Sequence, residues 1–117
     1  MTSTEAVDRL QVILAHLWLV RNFLKHADEI QDDEEMLEIH RTIFDFIRAT
    51  EPAAQRQDAA EYLHRVRSKL SKLRRAAEHL STNYQRVSSH TNFEMAALSL
   101  RGCVRQIDEI LAAAKES

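Results

Sequence analysis

Arginine and histidine stand five positions apart in the segment Arg21-Asn22-Phe23-Leu24-Lys25-His26. A guanidinium forks onto phosphate oxygens, and an imidazole exchanges its proton near neutral pH. Brought together, the two could hold a phosphodiester and move a proton on it. On a continuous helix, five residues turn through about 500°, so the two side chains would diverge by roughly 140°. They converge within one chain only if the helix ends before His26.

The RNFLKH pattern, a six-residue segment of the 117-residue chain, resembles the signature of HEPN ribonucleases. The resemblance implies metal-independent cleavage of RNA in a cleft commonly formed at a dimer interface. Arg21 would bind and stabilise phosphate charge, His26 would act as general acid or base, and Asn22 would support them. The family carries its motif late in the chain, whereas this segment falls in the first helix. Helical packing offers a plainer account, in which Lys25 and His26 complement the negative end of a helix dipole.

Two further histidine patterns are present. Glu61-Tyr62-Leu63-His64 has the Glu-x-x-His spacing of di-iron bundles. Leu63 sits on the apolar seam there, so Glu61 and His64 point outward. No second Glu-x-x-His follows, and no metal and no other cofactor is expected. His64, with Arg67 and Ser68 after it, loosely resembles histidine-phosphotransfer domains, which are bundles of similar size with one exposed histidine in mid-helix. Lysine and glycine usually stand where Arg67 and Ser68 stand here, so the match is incomplete.

Other polar residues have structural explanations. Arg65, Arg67, Lys69, Lys72, Arg74 and Arg75 form a basic run without interleaved aromatics for stacking bases. It reads as a solvated face that pairs with acids such as Glu34, Glu35 and Glu38. His40 falls within an apolar stripe and reads as a hydrogen-bonded core histidine rather than a ligand. Cys103, the only cysteine, excludes an internal disulfide and a thiolate metal set, and fits a reducing compartment. Gly102, the only glycine, costs its helix about 1 kcal/mol relative to alanine.

The elements that position these residues follow from composition and periodicity. One glycine and one proline leave few turn signals, so the chain must be long helices joined by short loops. The first helix spans about Thr4 to Asp28, with Ala6, Leu10, Ile13, Leu17, Val20 and Leu24 on its seam. The second starts at an Asp32 or Asp33 cap, carries Met36, His40, Ile43 and Ile47 inward, and ends near Thr50, before Pro52. In the third, Ala59, Leu63, Val66, Leu70, Leu73, Ala77, Leu80, Tyr84 and Val87 make one long seam. The fourth begins at a capping box, Thr91-Asn92-Phe93-Glu94, and carries Phe93, Ala97, Leu100, Val104, Ile107 and Leu111.

These spans predict an all-α protein, a single domain over residues 1–117 folded as an up-down-up-down antiparallel four-helix bundle with a long third helix. Its connectivity gathers His26, His40, His79 and His90, with Arg21 and Arg86, into one half of the bundle. Charge is uneven: residues 1–50 hold ten acids and five bases, net −5, and residues 51–90 hold four acids and eight bases, net +4. Opposite segments of this kind pair within a bundle, and nucleic acid is not the expected partner. No apolar run is long enough to span a membrane, and the N-terminus has no signal-peptide pattern. A cytoplasmic protein is expected.

The first helix has more apolar surface than one stripe needs. Val12, Leu19 and Phe23 form a second line with His16 inside it, and Trp18 lies on a line otherwise polar, with Gln11, Asn22 and Lys25. Surplus of this kind marks a contact with another molecule. The expected role is a non-enzymatic module that self-associates, as a homodimer, or docks a protein partner through Leu14, Trp18 and Leu19. The third-helix seam makes a direct test. Leu70→Ala should cost about 2–5 kcal/mol in a chemical-denaturation experiment; a near-neutral result would show the seam to be misplaced.

Overall fold

A computed structural model describes residues 1–115. Helices α1 (Ser3–His26), α2 (Glu34–Gln55), α3 (Ala59–Val87) and α4 (Thr91–Lys115) follow one another with one 3-10 turn, Asp28–Ile30, between the first two. No strand occurs among the described residues. The helices form an elongated bundle of 43 × 23 × 19 Å, in which α1 lies between α2 and α4 and also reaches α3 across the interior.

The predicted seams supply most of the core, with His40, Ala59, Tyr84 and Val87 only partly buried. All six predicted α1 positions and all six on α4 are buried, as are Leu63, Val66, Leu70, Leu73, Ala77 and Leu80 of α3. Leu10, Leu17, Leu24, Ile43, Leu73, Leu80, Leu100 and Ile107 are wholly enclosed. Each such side chain removed from water contributes about 1.5–3 kcal/mol. That apolar burial sets the rotation of every helix about its own axis.

Helix ends are closed mostly by side chains. Thr2 caps α1 by accepting from the Glu5 N–H at 3.1 Å. Asp33 and Asp58 do the same for α2 and α3, accepting from Met36 and Glu61, each at 3.1 Å. The cap of α4 is not the predicted Thr91. Instead the Nδ1 atom of His90 accepts from the Asn92 N–H at 3.0 Å, while the His90 N–H donates to Ser88 Oγ at 3.0 Å. Asn92 donates to Nδ1, so the His90 ring proton sits on Nε2.

Two helix ends differ from expectation. α1 stops at His26 because Ile30 turns into the core, and the Gln31 amide donates to the Lys25 and Ala27 carbonyls at 3.1 and 2.8 Å. α2 runs past Pro52 to Gln55. Ala53, buried at 2% exposure, anchors that last turn.

The α2–α3 reversal takes only three residues. The Gln57 N–H donates to the Ala54 carbonyl at 3.1 Å and the Asp58 N–H to the Ala53 carbonyl at 2.9 Å. This is a Schellman closure, with Gln57 at φ 56° where glycine is usual. The left-handed region costs a side-chain-bearing residue about 1–2 kcal/mol, partly offset by the smaller entropy of its unfolded chain. Gln57→Gly should therefore raise stability by about 0.5–1 kcal/mol. An increased denaturant midpoint at unchanged slope would show it; no increase would mean that the position is unstrained.

Candidate functional site

Arg21 and His26 occupy different environments. α1 stays helical through His26, so the two side chains diverge as the turn angle requires. Arg21 leans toward α2. Its guanidinium carbon lies 4.8 Å from the centre of the Trp18 ring and 4.9 Å from that of Phe44, and Nη1 donates to Asn22 Oδ1 at 2.9 Å. Arg48 approaches the same Phe44 ring at 4.9 Å. A guanidinium held by ring faces in this way contributes on the order of 0.5–2 kcal/mol. Arg21 thus braces the α1–α2 contact, and within one chain it does not face His26.

His26 lines a small cleft of about 320 Å³ with Phe23, Asp28, Glu29, His90 and Phe93. The cleft brings His26 and His90 together at the predicted end of the bundle. Phe23 meets Phe93 edge-on below them, with ring centres 5.0 Å apart. His90 is committed to capping α4. No cluster of three or more His, Cys, Asp or Glu among the described residues is placed to hold a metal ion.

The other members of the predicted polar cluster are spread along that half. His79 lies 3.7 Å from Glu35, and its Nδ1 is within 3.2 Å of the Asn83 amide. Arg86 pairs with Asp33 at 3.2 Å. The Asp33 carboxyl titrates below its ordinary value, mainly because the Met36 N–H that it caps favours the charged form, with Arg86 adding to it. His40 is half-buried beside α1, and its Nδ1 is enclosed without a partner. These residues lie apart from one another, with Arg86–Asp33 the one fixed-charge pair among them, and only His26 and His90 share a cleft.

The predicted contact set on α1 divides three ways. Leu14 is 7% exposed and belongs to the core, which corrects its placement in an external contact. The reason is that α1 touches three helices, so its apolar sector is wide. Trp18 is half-buried on the α2 side, 6.3 Å from Phe44. Leu19 alone of the three is open, at 65% exposure. Val12 is open too, at 59%. Val12 and Leu19 lie two turns apart on the α1 edge that carries Phe23, and the Phe23–Phe93 contact shows that this edge borders α4. On α4, Met95 and Leu98 stand exposed at 46% and 54%.

Sequence reasoning missed Met95 and Leu98, although their departure from the Phe93-to-Leu111 seam signalled it. It also missed Phe44, whose role depends on where Trp18 and Arg21 point. His64 is exposed on α3, and Glu61 pairs with Arg65 at 2.8 Å. Cys103 is buried, and burial raises its thiol above its ordinary value. Gly102 has open space where a side chain would start, with Arg105 at 4.0 Å as its nearest neighbour, so no neighbouring helix approaches closely there. No helix among the described residues is long and apolar enough to cross a membrane.

His40 gives this region a pH dependence. Burial lowers its pKa from the ordinary 6.5, and the nearby charges of Arg21, Arg41 and Lys25 lower it further, against Glu38. The folded protein therefore resists the proton that the unfolded chain accepts. Stability is full above the unfolded value and falls as pH drops below it. In melts between neutral and mildly acidic pH, His40→Gln should flatten that loss. An unchanged slope would place the effect elsewhere.

No protein-family model, no curated protein and no solved structure matches this chain.

Proposed function

We propose that this protein is a non-catalytic helical interaction module that self-associates through the face formed by α1 and α4. One observation carries the reading. The large apolar side chains that remain exposed among the described residues are Val12, Leu19, Met95 and Leu98, and all four lie on these two neighbouring helices. Exposed apolar surface on neighbouring helices is what an interface draws on. A second copy brings the same apolar edge, which is the condition for a closed two-fold dimer. The lone, buried thiol of Cys103 suits a reducing compartment such as the cytoplasm.

The contact is centred on Leu19 and Leu98 rather than on Leu14 and Trp18. Light scattering on the wild type in the micromolar range should give twice the chain mass of 13.5 kDa. Leu19→Glu and Leu98→Glu should each weaken association by roughly thirtyfold or more, the equivalent of a hot spot of about 2 kcal/mol. Helicity should be kept, because both side chains stand outside the core. A wild-type mass of one chain throughout that range would remove self-association. A dimer that survives both substitutions would move the contact to another face.

A further inference from the structure

α2 and α3 border a groove of about 660 Å³ whose walls carry opposite charge. Glu35, Glu38 and Asp45 stand on the α2 wall; Lys69, Lys72 and Arg75 stand on the α3 wall. None of the lining residues belongs to α1 or α4, so this surface is separate from the apolar face. The Glu35–His79 contact at 3.7 Å fixes how the walls face each other. Stepping from it in opposite directions along the antiparallel helices puts Glu38 across from Arg75, Thr42 across from Lys72 and Asp45 across from Lys69. Glu38 is already held by Arg41 of its own helix at 3.2 Å. Lys69, Lys72, Arg75 and Asp45 have no ion pair among the described residues. The walls attract, yet the space between them keeps these four groups from meeting.

The spacing of the charges points to what would lie between them. On both walls the lining residues recur in steps of three and four: Glu35, Glu38, Thr42 and Asp45 on one, Lys69, Lys72, Ala76 and His79 on the other. These steps advance about 4.5–6 Å along a helix. An α-helix laid in the groove repeats its own flanks at the same interval, whereas an extended strand repeats a face about every 6.6 Å and falls out of step. The charged stretch covers about 15 Å, close to three helical turns. Ile39, Phe46 and Ala76 close the bottom of the groove, already buried at 2, 2 and 8% exposure, so the surface open to a guest is mainly the two charged rows. Charged rows flanking a helical seam are the device by which coiled-coil helices choose partners.

We propose that the α2–α3 groove receives a helix of another protein, one with basic residues along the flank that meets α2 and acidic residues along the flank that meets α3. Neither a uniformly acidic nor a uniformly basic segment satisfies it, since each meets one wall of its own sign. Turning a helix end for end exchanges its flanks, so the charge pattern also sets the direction in which the partner runs.

Three synthetic helical peptides of equal length and identical contact stripe test this by fluorescence anisotropy with the full chain at low salt. One carries lysine on one flank and glutamate on the other, one carries glutamate on both, and one carries lysine on both. The mixed peptide should bind at least tenfold tighter than either uniform peptide, and its advantage should shrink as salt screens the exposed charges. The double variant Lys72→Glu with Arg75→Glu makes both walls acidic and should shift the preference to the all-lysine peptide. Glu38→Lys with Asp45→Lys should shift it to the all-glutamate peptide, and serves if the first variant fails to fold. Absence of binding by all three, equal binding by all three, or best binding by the all-glutamate peptide to the wild type would overturn the proposal. The last of these would mark a plain anion-attracting patch. A preference order that stays unchanged in a folded variant would also overturn it.

Discussion

A helix that starts in water leaves backbone N–H groups without partners, and this chain satisfies them with side chains. Thr2, Asp33, Asp58 and His90 each supply the acceptor for one helix. With a single glycine in the sequence, little else can stop one helix and start the next. The caps set where each helix begins, and so which residues lie level across the bundle. Ion pairs then hold that level: Arg74 grips Asp108 with two bonds of 2.9 and 2.8 Å between α3 and α4, and Arg86 reaches Asp33 between α3 and the start of α2. Exposed pairs of this kind contribute little individually. The apolar interior supplies the stability, and the caps decide its alignment.

Alignment also separates the two outer faces. The large apolar side chains left in water lie on α1 and α4, whereas rows of opposite charge line the α2–α3 groove. α1 shows how this arises. Its Trp18 edge is spent on Phe44 and Arg21, which tie it to α2, while its Val12 and Leu19 edge stands out beyond the α4 contact. A polar group enclosed without water is costly unless it is paired. Among the described residues Thr50 meets that condition, whereas His40 Nδ1 and the Tyr62 hydroxyl are enclosed without a hydrogen bond. The Thr50 hydroxyl donates to the Ile47 carbonyl at 2.8 Å. Tyr62, 1% exposed, has its phenol raised above the ordinary value by burial, with the Thr50 hydroxyl beside it opposing the rise.

Periodicity made the four seams and the all-helical architecture legible, because apolar residues repeating every three to four positions have one inexpensive arrangement. The same signal was silent on how far around each helix the core extends. Leu14 looked surplus only because α1 seemed to need a single stripe, whereas it faces three neighbours. Pro52 looked like a stop because the residue before proline avoids helical geometry, but buried Ala53 outweighs that preference. His90 was invisible as a cap because histidine seldom takes that place, and Thr91 beside it carried the usual signature. The charge imbalance between the first and second halves was plain. Its separation into two facing rows was not, since that depends on which residues the Glu35–His79 contact sets level.

The three-residue reversal between α2 and α3 bears on how the chain reaches its fold. Asp58 closes α2 through its backbone and opens α3 through its side chain, so one residue ends one helix and starts the next. Closing so short a loop costs little chain entropy, and the two long amphipathic helices it joins come into register as soon as it forms. This hairpin is the part of the fold in which two long seams meet across the shortest connection. A chain whose contacts are mostly local folds quickly. During synthesis α1 emerges ahead of this hairpin, so its apolar edges remain unsheltered until the hairpin behind it has formed.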